Sequence, residues 1–446
     1  MMGDTEDTME SRDVLTKQQR IAQNARTHPE VSFSSLAYHV DMEWMREAYR
    51  RTRKDAAPGV DEQTAEQFAE ALENNLASLL ERAKAGSYRA PPVRRVHIPK
   101  GDGGTETRPI GVPTFEDKVL QRAVQMVLEP LYEQDFLDCS WGFRPGRSPH
   151  QALEALWRQL MDMGGGWIID LDIRKFFDTV SRAHLREILK KRVCDGVLTR
   201  LIGKWLNAGV LEEGQMHYPE QGTPQGGVIS PMLSNIYLHE VLDRWFDEVV
   251  QKHLQGRAFL VRFADDAVLV FREERDARRV MEVLPKRFAR YGLSVHPQKT
   301  RIVRFTKPKT NNPAPPPETF VFLGFTHYWG LSRKAKWAVG RKTAASRFSR
   351  TLKAIGQWCR LHRHLPVAEQ HQALRRKLLG HYGYYGITGN SHALASMLYE
   401  VRHVWHKWLA RRGSKQNWQR TARLLARYPL PLSRAVHSVI CSEPVT

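Results

Sequence analysis

The chain has 446 residues, enough to bury a large core and to hold two or three domains. No apolar run reaches the roughly 18 residues that a membrane span needs, and the polar, acidic start (Met1–Arg12) lacks the apolar core of a secretion signal. Cys139, Cys194, Cys359 and Cys441 are scattered without a CxxC pair, which fits a reducing cytoplasm and argues against a zinc site.

The net charge of +20 is unevenly placed. From Arg333 to Thr446 there are 22 Lys+Arg against 3 Asp+Glu, while the preceding residues hold 46 against 45. The same basic stretch carries eight His and ten Trp/Tyr, among them Tyr382, Tyr384, Tyr385, Tyr399, Trp405, Trp408 and Trp418. Basic residues interleaved with aromatics are what a polyphosphate partner selects.

In chain order, residues 1–30 read as a frayed tail passing into a short helix. Asp41–Lys54 and Glu62–Gly86 have helical spacing, the second stopped by Gly86, with a turn at Ala57-Pro58-Gly59-Val60-Asp61 between them. Val93–Pro99 and Glu106–Val112 read as a hairpin across Gly101-Asp102-Gly103-Gly104. Phe115–Phe136 is an amphipathic helix, Trp167–Asp172 a buried strand and Arg182–Arg192 a helix. Ser230 as N-cap and Pro231 at the first position open a long helix with Leu233, Tyr237, Leu238, Leu242, Trp245 and Phe246 as its buried stripe. Two alternating runs, Phe259–Phe263 and Ala267–Phe271, predict antiparallel strands with Asp265 and Asp266 at their turn. Arg275–Tyr291 is helical up to Gly292. Strands are expected at Arg301–Phe305 and Thr319–Phe325, flanking the Pro-rich loop Lys307–Glu318, and beyond Arg333 the pattern is helical.

Strand, helix, hairpin, helix, strand is a split βαβ order, which places the strand end at Asp172 beside the hairpin tip. The fold class is α+β, with a helical appendix. Adjacent acids at one turn repel unless a cation relieves them. Nucleotide addition is an in-line displacement at phosphorus, in which two divalent ions about 4 Å apart activate the attacking hydroxyl and hold the departing pyrophosphate. Oxygen ligands suit Mg²⁺, and Mn²⁺ can substitute. Asp172 and Asp265 are the candidate bridging ligands, Asp266 a supporting one, and the Ile173 carbonyl a further donor. A hairpin whose acids merely favour the turn is the plain alternative. The glycine-rich run from Gln221 to Pro231 would let a base pair or sugar approach the backbone closely, or be an ordinary helix start.

Taken together, these motifs resemble a reverse transcriptase, specifically the group II intron-encoded class with a maturase region. The resemblance runs from about Ala57 to Leu432. It is carried by Ala57–Asp61, Ile98-Pro99-Lys100 with Arg108–Pro113, Gly142–Ser148, Gln225–Pro231, Phe263–Asp266, His296–Thr300 and Phe322-Leu323-Gly324-Phe325. Ser230-Pro231 favours this class over diversity-generating enzymes, which usually carry Ser-Gln there. Phe263 departs from the family's more frequent Tyr. The resemblance implies a right-hand fingers/palm polymerase core (a split βαβ palm) followed by a helical thumb/maturase region. The implied divisions are a tail (1–30), an N-terminal extension (31–86), fingers and palm (87–327), thumb/maturase (335–432) and a C-terminal tail (433–446).

The resemblance also implies roles. Asp172, Asp265 and Asp266 hold the metals, Lys100 and Arg108 clamp the incoming triphosphate, and Phe177 lies under the deoxyribose. Gln225 aligns the nucleotide or template base, and Lys299 protonates the leaving pyrophosphate. In the tail, around Leu378–Tyr385, the residues Arg375, Arg376, Lys377, Arg411, Arg412 and Lys415 contact RNA. Expected partners are dNTPs, an RNA template, intron RNA and a DNA primer or target, without a membrane. Because the sequence stops soon after Tyr428–Pro431, and Cys441 has no partner, the endonuclease of many relatives is not expected. A domesticated enzyme of antiviral defence or DNA repair, and a splicing cofactor with an inert polymerase site, are the alternatives. A cyclase-type palm is disfavoured by the basic tail.

Overall fold

The computed structural model describes residues 3–99, 107–212, 214–218, 222, 226–310, 313, 315–332, 335–412, 418–434 and 436–437. The chain forms two compact bodies. One comprises Met1–Ile98, Thr107–Ala152 and Ile169–Ile302, the other Pro99–Glu106, Leu153–Ile168 and Val303–Thr446.

The N-terminal stretch is not a tail but helix α1 (Gly3–Thr27). Its Ile21 and Ala25, one turn apart, are buried, and Gln18 donates to the Met126 carbonyl at 3.0 Å. Helix α2 (Met42–Arg51) starts where the Asp41 side chain accepts from the Trp44 N–H. The buried Trp44 then donates its indole N–H to the Ala123 carbonyl. Where one helix was expected over Glu62–Gly86 there are two. Helix α3 (Ala65–Ala69) follows a Thr64/Gln67 capping box, and α4 (Leu72–Ala85) ends on Gly86 at φ 81°. Strands β1 (Val93–Pro99) and β2 (Thr107–Val112) are followed by α5 (Phe115–Tyr132), capped by Thr114.

Next come α6 (Pro149–Met163), β3 (Gly165–Leu171), α7 (Phe176–Thr179), α8 (Arg182–Lys190) and α9 (Gly196–Leu206). The short strands β4 (Val210–Glu212) and β5 (Gln215–His217) complete a sheet of order β2-β1-β4-β5. Helix α10 (Ser230–Leu238) is capped one residue earlier than expected. Ile229 is its N-cap and offers no side-chain cap bond, its N–H donating instead to Gln121 Oε1 at 3.3 Å, while Ser230 donates its N–H back to Gly227 and already lies in the first turn. The helix continues in wider π-type winding over His239–Asp243 and Trp245–Val250. Of the expected stripe, Leu233, Tyr237, Leu238, Leu242 and Phe246 are buried and Trp245 only partly so.

Strands β6 (Ala258–Phe263) and β7 (Asp266–Phe271) form the expected hairpin, with Phe263 opposite Asp266. Helix α11 (Glu274–Ala289) and strand β8 (Arg301–Thr306) follow, and the sheet order is β6-β7-β3-β8. The strand that leads to Asp172 is thus the neighbour of the strand that begins at Asp266.

In the second body, β9 (Phe320–Phe322), β10 (Phe325–Leu331) and β11 (Trp337–Thr343) make an antiparallel meander. The single strand expected over Thr319–Phe325 is broken by Leu323 and Gly324, both at positive φ (48° and 79°). Positive φ at two successive residues is the geometry of a tight hairpin turn. Strand β11 also corrects the expectation of helix alone after Arg333. Helices α12 (Ala345–Leu361), α13 (Val367–Tyr385) and α14 (Ser391–Leu409) then enclose a core that includes Leu374, Leu378, Val401 and Trp405, before α15 (Trp418–Arg427). Tyr384 donates to the Leu323 carbonyl at 2.9 Å and Tyr385 leans on Phe325, so these rings hold helix to sheet.

His327 on β10 is fully buried, its ring stacked on Phe320 with centroids 4.6 Å apart. Burial, and secondarily the Arg341 charge, push its pKa down to about 3. A folded-state value below the ordinary 6.5 gives stability that is complete above that value and is lost as pH falls toward 3. Acidification from neutrality to pH 5 therefore costs this body about 2 kcal/mol through His327. In His327→Phe that part of the acid sensitivity should vanish. Denaturant unfolding followed by Trp fluorescence at both pH values checks it, and an equal acid response in the variant contradicts it.

Candidate active site

The site is assembled around one side chain. Arg262 sits inside the apolar strand β6 and is fully buried. Its Nε and Nη2 grip the two carboxylate oxygens of Asp243 at 2.7 and 2.6 Å. Nη2 also donates to Ser140 Oγ at 2.7 Å, and Nη1 donates to Asn235 Oδ1 at 3.0 Å and to the Ala264 carbonyl at 2.9 Å. A guanidinium has five N–H donors, and here every one is used. Burial opposes the charge on Asp243, yet Arg262 keeps its carboxyl below the ordinary value; the same pairing keeps Arg262 protonated.

This arrangement holds the turn that carries Asp265. Ala264 is at φ 56°, a left-handed conformation that costs a non-glycine residue on the order of 1 kcal/mol. The Arg262 hydrogen bond to its carbonyl stabilises it. Asn235 also donates to the Gly142 carbonyl at 2.7 Å. A Cβ on Gly142 would lie 2.3 Å from the Ala264 nitrogen, so only glycine lets the 139–142 segment close on the turn. That segment runs along β6, with Trp141 N–H donating to the Arg262 carbonyl and Arg262 N–H to that of Cys139, each at 2.8 Å.

Asp172 follows β3 directly. Its N–H donates to Thr300 Oγ1 at 3.1 Å, and its carbonyl accepts from the His296 N–H at 2.8 Å. Lys299 Nζ lies 3.5 Å from Asp172 Oδ2, on an exposed side chain. Ile173 bridges to Val295 through bonds made by its neighbours, so its own carbonyl stays out of that pairing. Asp265 has a raised pKa. Burial is the main cause and the Asp172 charge adds to it, while Arg108 and Arg262 oppose it. Asp172, Asp265 and Arg108 therefore share one electrostatic environment. Asp266, the first residue of β7, is exposed. Among the described residues no three Asp, Glu, His or Cys side chains already form a metal-holding group. A carboxylate whose proton affinity is raised by burial and by a second carboxylate nevertheless suits a hard cation.

Phe177, in the short turn α7, is half-buried and meets the buried Phe176 edge-on at 5.3 Å. Gly222 packs against this turn and Gly226 against β2. A Cβ on Gly222 would lie 2.8 Å from the Phe177 carbonyl, and one on Gly226 2.4 Å from the Gly111 carbonyl. These glycines thus admit the protein's own backbone, where the sequence suggested close approach by a ligand. Lys100, Gln225 and Lys415 lie outside the described residues. Arg375, Arg376 and Lys377 are exposed on α13, with Lys377 Nζ 5.5 Å from the Trp358 ring centroid. Arg411 leans on Trp408, and Arg412 donates to the His364 carbonyl.

The profile of the family described as reverse transcriptase (RNA-dependent DNA polymerase) matches residues 98–327, just over half of the chain. The chain belongs to the reverse transcriptase family. It is 37% identical over 249 residues to protein YkfC of Escherichia coli K12, covering 54% of this chain and 64% of that protein. It is 36% identical over 238 residues to the group II intron-encoded protein LtrA of Lactococcus lactis, covering 52% of this chain and 39% of LtrA. The Arabidopsis thaliana nuclear intron maturase 2 is 29% identical over 175 residues, or 31% of this chain and 24% of the relative. The chain thus spans less than two thirds of each of these relatives. Reverse transcriptases in general use divalent metal ions, in keeping with the carboxylates described above.

Two features of this reverse transcriptase escaped the sequence reading. Arg262 was hidden in an apolar run, although a charge within alternating hydrophobics is itself the signal of a buried ion pair. Asp170, two residues before Asp172 on the same strand face, has its pKa raised to about 6 by burial and the Asp172 charge, with Arg301 3.9 Å away opposing. Removing one partner of a buried pair costs about 3–5 kcal/mol. Arg262→Met should lose that much stability in urea unfolding, and Arg262→Met/Asp243→Leu should regain a large part. An additive double variant would contradict the pairing.

Proposed function

We propose that the protein is an RNA-directed DNA polymerase of the group II intron type, which extends a primer 3′-hydroxyl with dNTPs and binds intron RNA to promote splicing and mobility. The observation that carries this is that Asp172 follows β3 and Asp265 precedes β7, neighbouring strands of one sheet though remote in sequence, with the charges of Asp172 and Arg108 both acting on the Asp265 carboxyl. In this reading the fingers and palm occupy 87–327 and the thumb and maturase region 335–432. Asp172 and Asp265 hold divalent cations, Mg²⁺ by preference, with Asp266 and the Ile173 carbonyl completing the ligand set. Such ions, when bound, lower the pKa of the attacking hydroxyl and offset charge on the departing pyrophosphate.

The protein's own groups do the rest. Arg108 and Lys100 orient the triphosphate through charge-assisted hydrogen bonds. Phe177 lies against the sugar, where a 2′-hydroxyl would meet its ring, and Gln225 aligns the base. Lys299, beside Asp172, gives a proton to the pyrophosphate oxygen as the P–O bond breaks. The exposed cations of α13, with Arg411, Arg412 and Lys415, neutralise RNA phosphates, and their binding weakens steeply with salt.

Primer extension on an RNA template with dNTPs and Mg²⁺ tests the reading. Wild-type protein should copy the template, and Asp265→Asn and Asp172→Asn should each lose on the order of 10³-fold in rate. Template copying that survives either substitution would refute the assignment. Phe177→Ala should incorporate ribonucleotides more readily at little cost in dNTP rate; unaltered sugar discrimination would return Phe177 to a packing role.

A further inference from the structure

Outside the carboxylate site, the first body holds a cavity of about 520 Å³ between α9 and the β4–β5 hairpin. Helix α9 buries Leu198, Leu201, Ile202, Trp205 and Leu206. The opposite face, at helical spacing, presents Arg200, Gly203 and Lys204, and Asn207 just beyond, to the cavity. The far wall is Met216 and Tyr218, 42% and 72% exposed. Large apolar and aromatic side chains left open at a cavity are unusual enough to need a reason. A Cβ on Gly209 would lie 2.6 Å from Met216 Cε and 3.0 Å from Tyr218 Cε1, so both side chains lie across bare backbone.

Among the described residues the charge at this cavity has one sign: Arg89, Arg200 and Lys204 line it, and no described Asp or Glu does. The Lys204 ammonium is occupied by the Gly86 carbonyl at 2.6 Å and by the Tyr88 carbonyl. Arg89 and Arg200, by contrast, have no hydrogen-bond or ion-pair partner among the described residues. At the rim Arg182 donates to Asn207 Oδ1 at 3.3 Å, and burial together with the nearby Arg186 lowers its pKa. Two described carboxylates near in sequence are otherwise engaged. Asp195 caps α9, and Glu212 is paired with Arg95 and His97.

We infer that this cavity binds an unpaired nucleotide of a single-stranded nucleic acid, with its base on Tyr218 and its flanking phosphates on Arg89 and Arg200. The volume suits one nucleotide and is far too small for a duplex. A base can lay its face on a side-chain ring only when it is free of its pairing partner and stack. Phosphates supply the negative charge that two unpaired guanidiniums lack. An acidic peptide would satisfy the arginines but would leave the ring and Met216 without a flat partner. The inference rests on the nucleic-acid polymerase reading but concerns a separate surface, on the β2-β1-β4-β5 side of the chain.

Binding of the full-length protein to a short fluorescent oligouridylate, read by anisotropy without dNTPs, tests it independently of polymerisation. Tyr218→Ala should weaken binding about tenfold, as loss of one stacked base does. Arg89→Glu/Arg200→Glu should weaken it further and flatten its salt dependence. Affinity for a blunt RNA hairpin should hold within twofold in Tyr218→Ala. A 4-thiouridine oligonucleotide should crosslink to the peptide containing Tyr218. A deoxythymidylate arm identifies the strand: equal loss assigns the site to either nucleic acid, and loss with uridylate alone to RNA. Unchanged binding in both variants, equal losses for the hairpin, or crosslinks only elsewhere would overturn the proposal. If primer extension fails while the oligouridylate losses persist, the polymerase reading falls and this site stands.

Discussion

The buried Arg262–Asp243 pair is the constraint on which the carboxylate site depends. Taking two charges out of water is expensive, and a half-satisfied pair is worse than an apolar core. Full satisfaction here needs groups from four places: Asn235 on α10, Asp243 in the π-type segment, Ser140 before Gly142, and the turn carbonyl of Ala264. Around an ideal helix, Asn235 and Asp243 would lie about 80° apart. The wider winding over His239–Asp243 turns less per residue and swings both toward one guanidinium. An irregularity in the helix and a strained residue in the hairpin are thus two consequences of one buried arginine.

With the turn fixed, the remaining problem is like-charge repulsion. Asp170 and Asp172 share a strand face, and Asp172 acts on Asp265 across the sheet. The protein sets a cation against each: Arg301 near Asp170, Lys299 near Asp172, Arg108 near Asp265. The three are exposed side chains, and exposed ion pairs contribute little stability because water and salt screen them. They balance the carboxylates without locking them, which suits a centre whose job is to exchange charged ligands. A buried arginine holds the geometry, and exposed surface cations balance the charge.

The hairpin, the strand before Asp172 and the helix from Phe115 were legible because each has a local cause: two-residue alternation, an apolar run, or a helical stripe. What escaped depends on contacts remote in sequence. Gly222 and Gly226 look like a ligand-facing loop until Phe177 and Gly111 are seen against them. Leu323 at positive φ contradicts local preference, and it is supported from outside by the Tyr384 hydroxyl on its carbonyl. Arg262 was invisible for the same reason, since its partners come from three other segments. The N-terminal helix is longer than the short one expected because its polar composition gives no strong stripe, and Ile21 and Ala25 acquire their role only against a tertiary neighbour.

Net charge misleads in a similar way. The 46 cations and 45 anions before Arg333 nearly cancel, so the sequence directs attention to the basic end of the chain. Cancellation in a sum says nothing about cancellation in space. In the first body many acids are already committed: Glu47 between Arg50 and Arg51, Glu133 to Arg144, Asp135 to Arg192, Glu240 to Lys191 and Arg244. Each committed acid neutralises a cation close by and leaves the field elsewhere unopposed. Arg89 and Arg200 are cations left without a partner among the described residues, and they border an aromatic ring left open to solvent. A near-neutral stretch of a chain can thus hold a locally cationic cavity that its summed charge does not reveal.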